Sequence, residues 1–146
     1  MLEGISPLFS PELLAGIYAM GHGDELVLAD AHFPSESMGV EVIRADGLKI
    51  SDLLRAILPL LAVDNHDEHP VMMMAPVEGD TPDSDVESSY SAIIGELRPG
   101  TDPIHKLERF DFYDRAQDSF MVVQTGDTET YANIIIRKGV TPLRSF

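Results

Sequence analysis

The chain has 146 residues, 44% hydrophobic and 24% charged, which is the size and make-up of one folded domain with a real core and not of a disordered chain. Acidic residues outnumber basic ones 25 to 10, and the resulting charge of −15 repels a phosphate backbone, which argues against nucleic-acid binding. The absence of cysteine excludes disulfides, thiolate metal sites and a cysteine nucleophile, and fits a cytoplasmic setting.

The opening Met1-Leu2-Glu3-Gly4 lacks the basic start and long apolar run of a signal peptide, and no apolar run is long enough to span a bilayer. Ser10-Pro11-Glu12 begins a helix: Ser10 caps free amides, Pro11 suits the first helical position, and Glu12 suits the positive helix end. Leu13, Leu14, Ile17 and Met20 follow at helical spacing, and Gly21 is the stop. Glu25 to Asp30 reads as a strand whose unbroken Leu-Val-Leu-Ala run predicts burial on both faces. Val40 to Arg44 is a second strand, Asp46-Gly47 a turn, and Ser51-Asp52 the cap of a helix that Pro59 bends or ends.

Val71 to Val77 is a third, methionine-rich strand, and Glu78 to Asp85 an acidic loop. A weaker helix covers Val86 to Leu97, a short strand Ile104 to Leu107, and a short helix Phe110 to Gln117. The last two strands, Ser119 to Thr125 and Ala132 to Lys138, form a hairpin if Gly126-Asp127 is their turn. Strands alternating with helices over a single domain, residues 1–146, predict a three-layer α/β/α fold with a mostly parallel sheet.

Two residues bracket the first strand. His22 follows a helix end whose negative pole favours a charged imidazole, which suits a general acid, although the same position suits a plain helix cap. Asp30 ends a buried strand, where ligands gather in open α/β sheets, and its carboxylate can bind hydroxyls, take a proton, or simply cap the next turn. Fully extended, the eight residue steps from one to the other span roughly 26 Å. They share one pocket only if the His22-Gly23-Asp24 segment folds back along the sheet or if two subunits contribute.

Tyr131 and Asn133 stand two apart at the start of the last strand, so they are expected on one face, where a phenol and an amide suit a polyhydroxylated ligand. Arg109 lies in a segment that interleaves charges with aromatics, Phe110, Phe112 and Tyr113, which suits either sugar stacking or docking of a short helix on the sheet. His66 and His69 have the spacing of a weak metal motif, but H-x-x-H lacks the one-turn helical pairing and reads as solvated loop, so no metal site is assigned. No phosphate-binding glycine loop or nucleophile elbow is present.

Taken together these segments resemble the L-fucose mutarotase family, a branch of the larger group that includes D-ribose pyranase. The resemblance runs nearly end to end, through Gly4-Ile5-Ser6-Pro7-Leu8, Met20-Gly21-His22-Gly23-Asp24-Glu25, Leu28-Ala29-Asp30-Ala31-His32-Phe33-Pro34, Val42-Ile43-Arg44-Ala45-Asp46-Gly47, Arg109-Phe110, Phe112-Tyr113, Tyr131 and Asn133-Ile134-Ile135. The 64–69 loop and the acidic loop near Asp83 are less family-like.

The resemblance implies interconversion of the α and β anomers of L-fucose without cofactor or metal. It implies an α/β/α fold and a homo-oligomer with sites at subunit contacts, commonly a decamer of stacked pentamers. Position by position, His22 matches the family's proton donor, and Asp30, Arg109, Tyr131 and Asn133 match its substrate-binding residues. Rival readings are a pyranase acting on a sugar such as D-ribose, a sugar-binding module without turnover, and a metal protein using His66 and His69.

Overall fold

The computed structural model describes residues 1–82 and 84–143. Asp83, part of the predicted acidic loop, lies outside them. In chain order the elements are α1 (Pro11–Ala19), β1 (Glu25–Ala29), a 3-10 turn (Ser35–Met38), β2 (Glu41–Ala45), α2 (Ile50–Ile57), β3 (Val71–Met74), α3 (Ser84–Leu97), β4 (His105–Leu107), α4 (Arg109–Gln117), β5 (Met121–Thr125) and β6 (Ile134–Arg137). They build a six-stranded sheet in the order β2-β5-β1-β6-β3-β4.

The β2–β5, β5–β1 and β3–β4 pairs are parallel, and β6 runs antiparallel to both its neighbours, β1 and β3. Alternate residues feed two cores. Leu26 and Leu28 of β1 join Leu13, Leu53, Ile57 and Ile93 from α1, α2 and α3 on one face. Val27 and Ala29 join Phe112 and Ala116 of α4 on the other. This strand is therefore sandwiched, all five of its residues buried, as its continuous apolar run predicts. The three-layer fold stands as read from the sequence.

Local chemistry explains the ends of the elements. The Ser10 hydroxyl accepts from the Leu13 amide at 3.1 Å, starting α1. Helix α2 departs from expectation: it starts at Ile50 with Lys49 at the cap position and no side-chain cap of its own. Its first amide, of Ile50, donates instead to Asp127 Oδ2 at 3.0 Å. A residue far along the chain thus supplies what Ser51 and Asp52 were expected to provide.

The predicted hairpin is not formed, because β1 lies between β5 and β6. Strand β1 takes the pairing edge of both, parallel to β5 and antiparallel to β6, and the connection passes Gly126, where a Cβ would stand 1.9 Å from the Asp46 carbonyl oxygen. Backbone meets backbone there, and the neighbouring Asp127 is anchored on α2. The chain therefore leaves β5 across the end of the sheet instead of reversing. Among the described residues no helix is long and apolar enough to cross a membrane.

Candidate functional site

The topology brings several strand ends to one edge. Since β6 is antiparallel to both β1 and β3, these two run parallel to each other, and β4 runs with β3. The carboxyl ends of β1, β3 and β4 open together, and the chain enters β6 from the same side. Asp30 follows β1, Val77 lies just past β3, Arg109 follows β4, and Tyr131 to Asn133 lead into β6. They surround a cavity of about 290 Å³, lined also by His32, Phe33, Met74, Tyr113, Glu129 and Thr130. That is the small end of the usual ligand-site range of roughly 300–1,000 Å³.

Asp30 is the buried polar centre of this cavity, 6% exposed. Its amide donates to Asn133 Oδ1 at 2.7 Å, so the strand end and the lead-in to β6 hold each other. Its carbonyl accepts from the Gln124 side chain and from the Phe33 amide, and its carboxylate Oδ1 accepts from the His32 amide at 2.9 Å. Ser35 in turn donates to Gln124 Oε1. Burial raises the carboxyl group above its ordinary value of 3.8, against the opposing pull of the His32 amide, the His32 charge and the Asn133 side chain. A carboxylate so raised is a better proton acceptor than a solvated one.

The walls are aromatic and cationic. Phe33 stacks on Tyr113, ring centroids 5.5 Å apart and 16° from parallel. The Arg109 guanidinium lies 5.8 Å from the Tyr113 centroid, within cation–π reach. Arg109 opens α4, whose cap, Glu108, accepts from the Phe110 amide. The Tyr131 hydroxyl donates to Asp80 Oδ2 at 2.6 Å and accepts from the Val77 amide at 3.2 Å. That bond to Asp80 raises the phenol's pKa.

Tyr131 and Asn133 line the same cavity, but not by strand alternation. Strand β6 begins only at Ile134, and Tyr131 is left-handed, φ 56°. The Ala132 carbonyl between them is held by the Tyr90 hydroxyl at 3.0 Å. A backbone kink and a buried phenol therefore do what a pleat was expected to do.

His22 stands elsewhere. It occupies the turn before β1, and Asp30 comes after it; five residues of strand intervene, about 17 Å at the usual rise. In one chain the two do not share a pocket. The turn does not fold back along the sheet: the Gly21 amide donates to Asp24 Oδ2 at 2.7 Å and the Gly23 amide to the Lys138 carbonyl at 2.8 Å. The His22 Nε2 lies 3.3 Å from Asp64 Oδ2, and the half-exposed ring meets the edge of His66 at 6.3 Å. Asp64 is buried, and the His66 amide together with Arg137 holds its carboxyl below the usual range. Arg137 also meets Glu25, which Arg115 grips through two nitrogens.

Of the residues singled out in the sequence, Asp30, Arg109, Tyr131 and Asn133 therefore line one cavity, and His22 does not. Sequence reasoning passed over His32, whose signal was its place two residues after Asp30, in the Asp30-Ala31-His32-Phe33 turn. His66 and His69 do not converge: His69 stacks on His105 with centroids 3.8 Å apart.

Comparison with known proteins gives consistent relatives. The family model described as "RbsD / FucU transport protein family" matches residues 3–141. The fucose mutarotase of Streptococcus pneumoniae, solved in complex with L-fucose, is 42% identical with a TM-score of 0.90, over 97% of this chain and 100% of that one. FucU of Bifidobacterium longum is 40% identical with a TM-score of 0.92, over 96% of this chain and 100% of that one. RbsD of Bacillus subtilis, solved with D-ribose, is 23% identical with a TM-score of 0.74, over 97% of this chain and 100% of that one, a likeness of fold alone.

Proposed function

The chain belongs to the RbsD / FucU transport protein family, and we propose that it is an aldose mutarotase that interconverts the α and β anomers of L-fucose. The observation that carries this reading is the single cavity lined by Asp30, Arg109, Tyr131 and Asn133, in a chain 42% identical to a fucose mutarotase that binds L-fucose.

The side chains fit the chemistry. Mutarotation breaks the bond between the anomeric carbon and the ring oxygen and reforms it on the other face. The ring oxygen gains a proton as that bond breaks, and the anomeric hydroxyl loses one, giving the open aldehyde. After rotation about the bond from C1 to C2, the two proton transfers reverse. Asp30, or a water it holds, takes the anomeric proton. His22 of an adjacent subunit is assigned the proton for the ring oxygen, and Arg109, Tyr131 and Asn133 bind the sugar hydroxyls. Acid–base help of this kind contributes roughly 10²–10⁴ in rate, sufficient for a reaction that already proceeds in water, without cofactor.

Self-association belongs to the same proposal. It is supported by the distance between His22 and Asp30 within one chain and by exposed aromatics, Phe110 at 69% beside Arg109 and Tyr18 at 91%. A ring assembly such as a decamer, working in the cytoplasm on a free monosaccharide, is the form the family resemblance suggests. Exchange NMR on L-fucose and D-ribose tests the reading: the protein should speed anomer exchange of fucose. Acceleration of ribose ring-form exchange alone would favour a pyranase, and acceleration of neither would leave a binding module.

A further inference from the structure

The end of the molecule opposite the cavity carries a second constellation. His22, Asp64 and His66 each present one donor atom, and the three atoms lie within 4.8 Å of one another. The His22 Nε2 is 3.3 Å from Asp64 Oδ2, and His66 Nδ1 is 3.6 Å from Asp64 Oδ1. Ligand atoms bound tetrahedrally to a zinc ion at about 2.0–2.1 Å stand roughly 3.3 Å apart, so only modest side-chain rotation is needed.

The donors are held in advance. The His66 amide donates to Asp64 Oδ1 at 3.0 Å, closing a tight turn that keeps His66 beside its partner. The His22 turn is pinned to Lys138. The charge balance admits a cation. Arg137 contacts Glu25, Asp64 and Asp67, and Arg115 contacts Glu25, so three carboxylates face two guanidinium groups.

We propose that His22, Asp64 and His66 form a three-ligand site for a divalent transition metal such as zinc, and that its occupation withdraws His22 from proton transfer. Two imidazoles and one carboxylate suit zinc, cobalt or nickel, and three protein ligands leave room for water. A metal bound to Nε2 uses the lone pair on which a proton would be carried, so the ion is an inhibitor and not a cofactor. The site itself is independent of the mutarotase reading; the inhibition rests on it.

Calorimetric titration of the metal-free protein with zinc chloride tests the site. One ion should bind per chain, with affinity at least tenfold weaker in His66→Ala and unchanged in His69→Ala. Cobalt(II) should give visible ligand-field bands that His66→Ala abolishes. No zinc binding, equal binding by His66→Ala, or loss in His69→Ala instead would overturn the site. Fucose exchange forms the second arm: zinc should slow the parent and spare His66→Ala. Zinc that binds the parent without slowing its exchange overturns the inhibitory role. A metal-free protein that never accelerates exchange refutes the mutarotase reading and leaves the calorimetry standing.

Discussion

The length of β1 separates His22 from Asp30: the histidine sits in the turn before the strand and the carboxylate just after it. A proton donor and an acceptor that serve one sugar ring from these positions must come from two chains. Subunit complementation tests this. His22→Ala and Asp30→Ala should each lose most of the acceleration, roughly 10²–10⁴-fold at most. Dissociated, mixed and reassembled, the two inactive proteins should regain activity, because about a quarter of head-to-tail contacts in a random mixture carry both intact residues. If the mixture stays inactive while His32→Ala is also dead, the acid is His32 in the same cavity and the site is built within one chain.

The buried Asp30 carboxylate carries a cost in stability. Its folded pKa is raised by burial, so the folded protein holds the proton more tightly than the unfolded chain does. The favourable contribution is fully present below the unfolded value, near 3.8, and is lost as pH rises through the folded value. At neutral pH the ionised group therefore opposes folding. Asp30→Asn keeps an acceptor for the His32 amide and removes the charge. The variant should melt above the parent at pH 7, with the gap narrowing toward pH 4, and should lose exchange activity. A variant that melts lower at pH 7 would contradict this account.

The bond from Tyr131 to Asp80 reaches out of the cavity to an exposed loop. Asp80→Ala removes the acceptor that fixes the phenol. Losing a bond worth about 0.5–1.5 kcal/mol should raise KM for fucose roughly two- to tenfold with little change in kcat. Asp80→Asn retains an acceptor and should fall between the two. A drop in kcat at constant KM would mean that Tyr131 acts in the chemistry and not in binding.

Gly126→Ala should be among the more damaging small substitutions. The added methyl meets the Asp46 carbonyl, and neither backbone can yield without disturbing the Asp127 anchor on α2. Overpacking costs about 1–3 kcal/mol even where side chains can shift, and here the obstacle is main chain. Thermal melting should fall by several degrees or more, and a melting point equal to the parent's would show that the loop has room.

What could be read in advance depended on how far each signal reached. The four-residue apolar run of β1 carries its burial in its own composition, and Ser10-Pro11 carries its helix start, so both emerged from the sequence. The cap of α2 did not, because its acceptor is Asp127 on a segment brought in by the fold. The place of β6 between β1 and β3 was hidden for the same reason: a glycine and an aspartate signal a turn but not the direction in which packing sends the chain. In the cavity, Asp30 could be placed from strand position alone. Spacing and composition raised Arg109, Tyr131 and Asn133, but their route into the cavity was not legible, since one arises at a helix start and the others reach it through a left-handed kink at Tyr131. The contact between His22 and Asp64 has no local signature at all.

The insertion of β6 sets the order in which the molecule can be completed. Until residues 134–137 arrive, β2-β5-β1 and β3-β4 are two separate ribbons with no shared hydrogen bonds. Asp30 rides on the first ribbon, Arg109 follows the second, and Tyr131 and Asn133 travel with the missing strand. A chain still emerging during synthesis therefore holds Asp30 and Arg109 on separate ribbons, with no wall yet to join them. The cavity comes into being in the same event that closes the sheet, so binding of any ligand there reports complete folding.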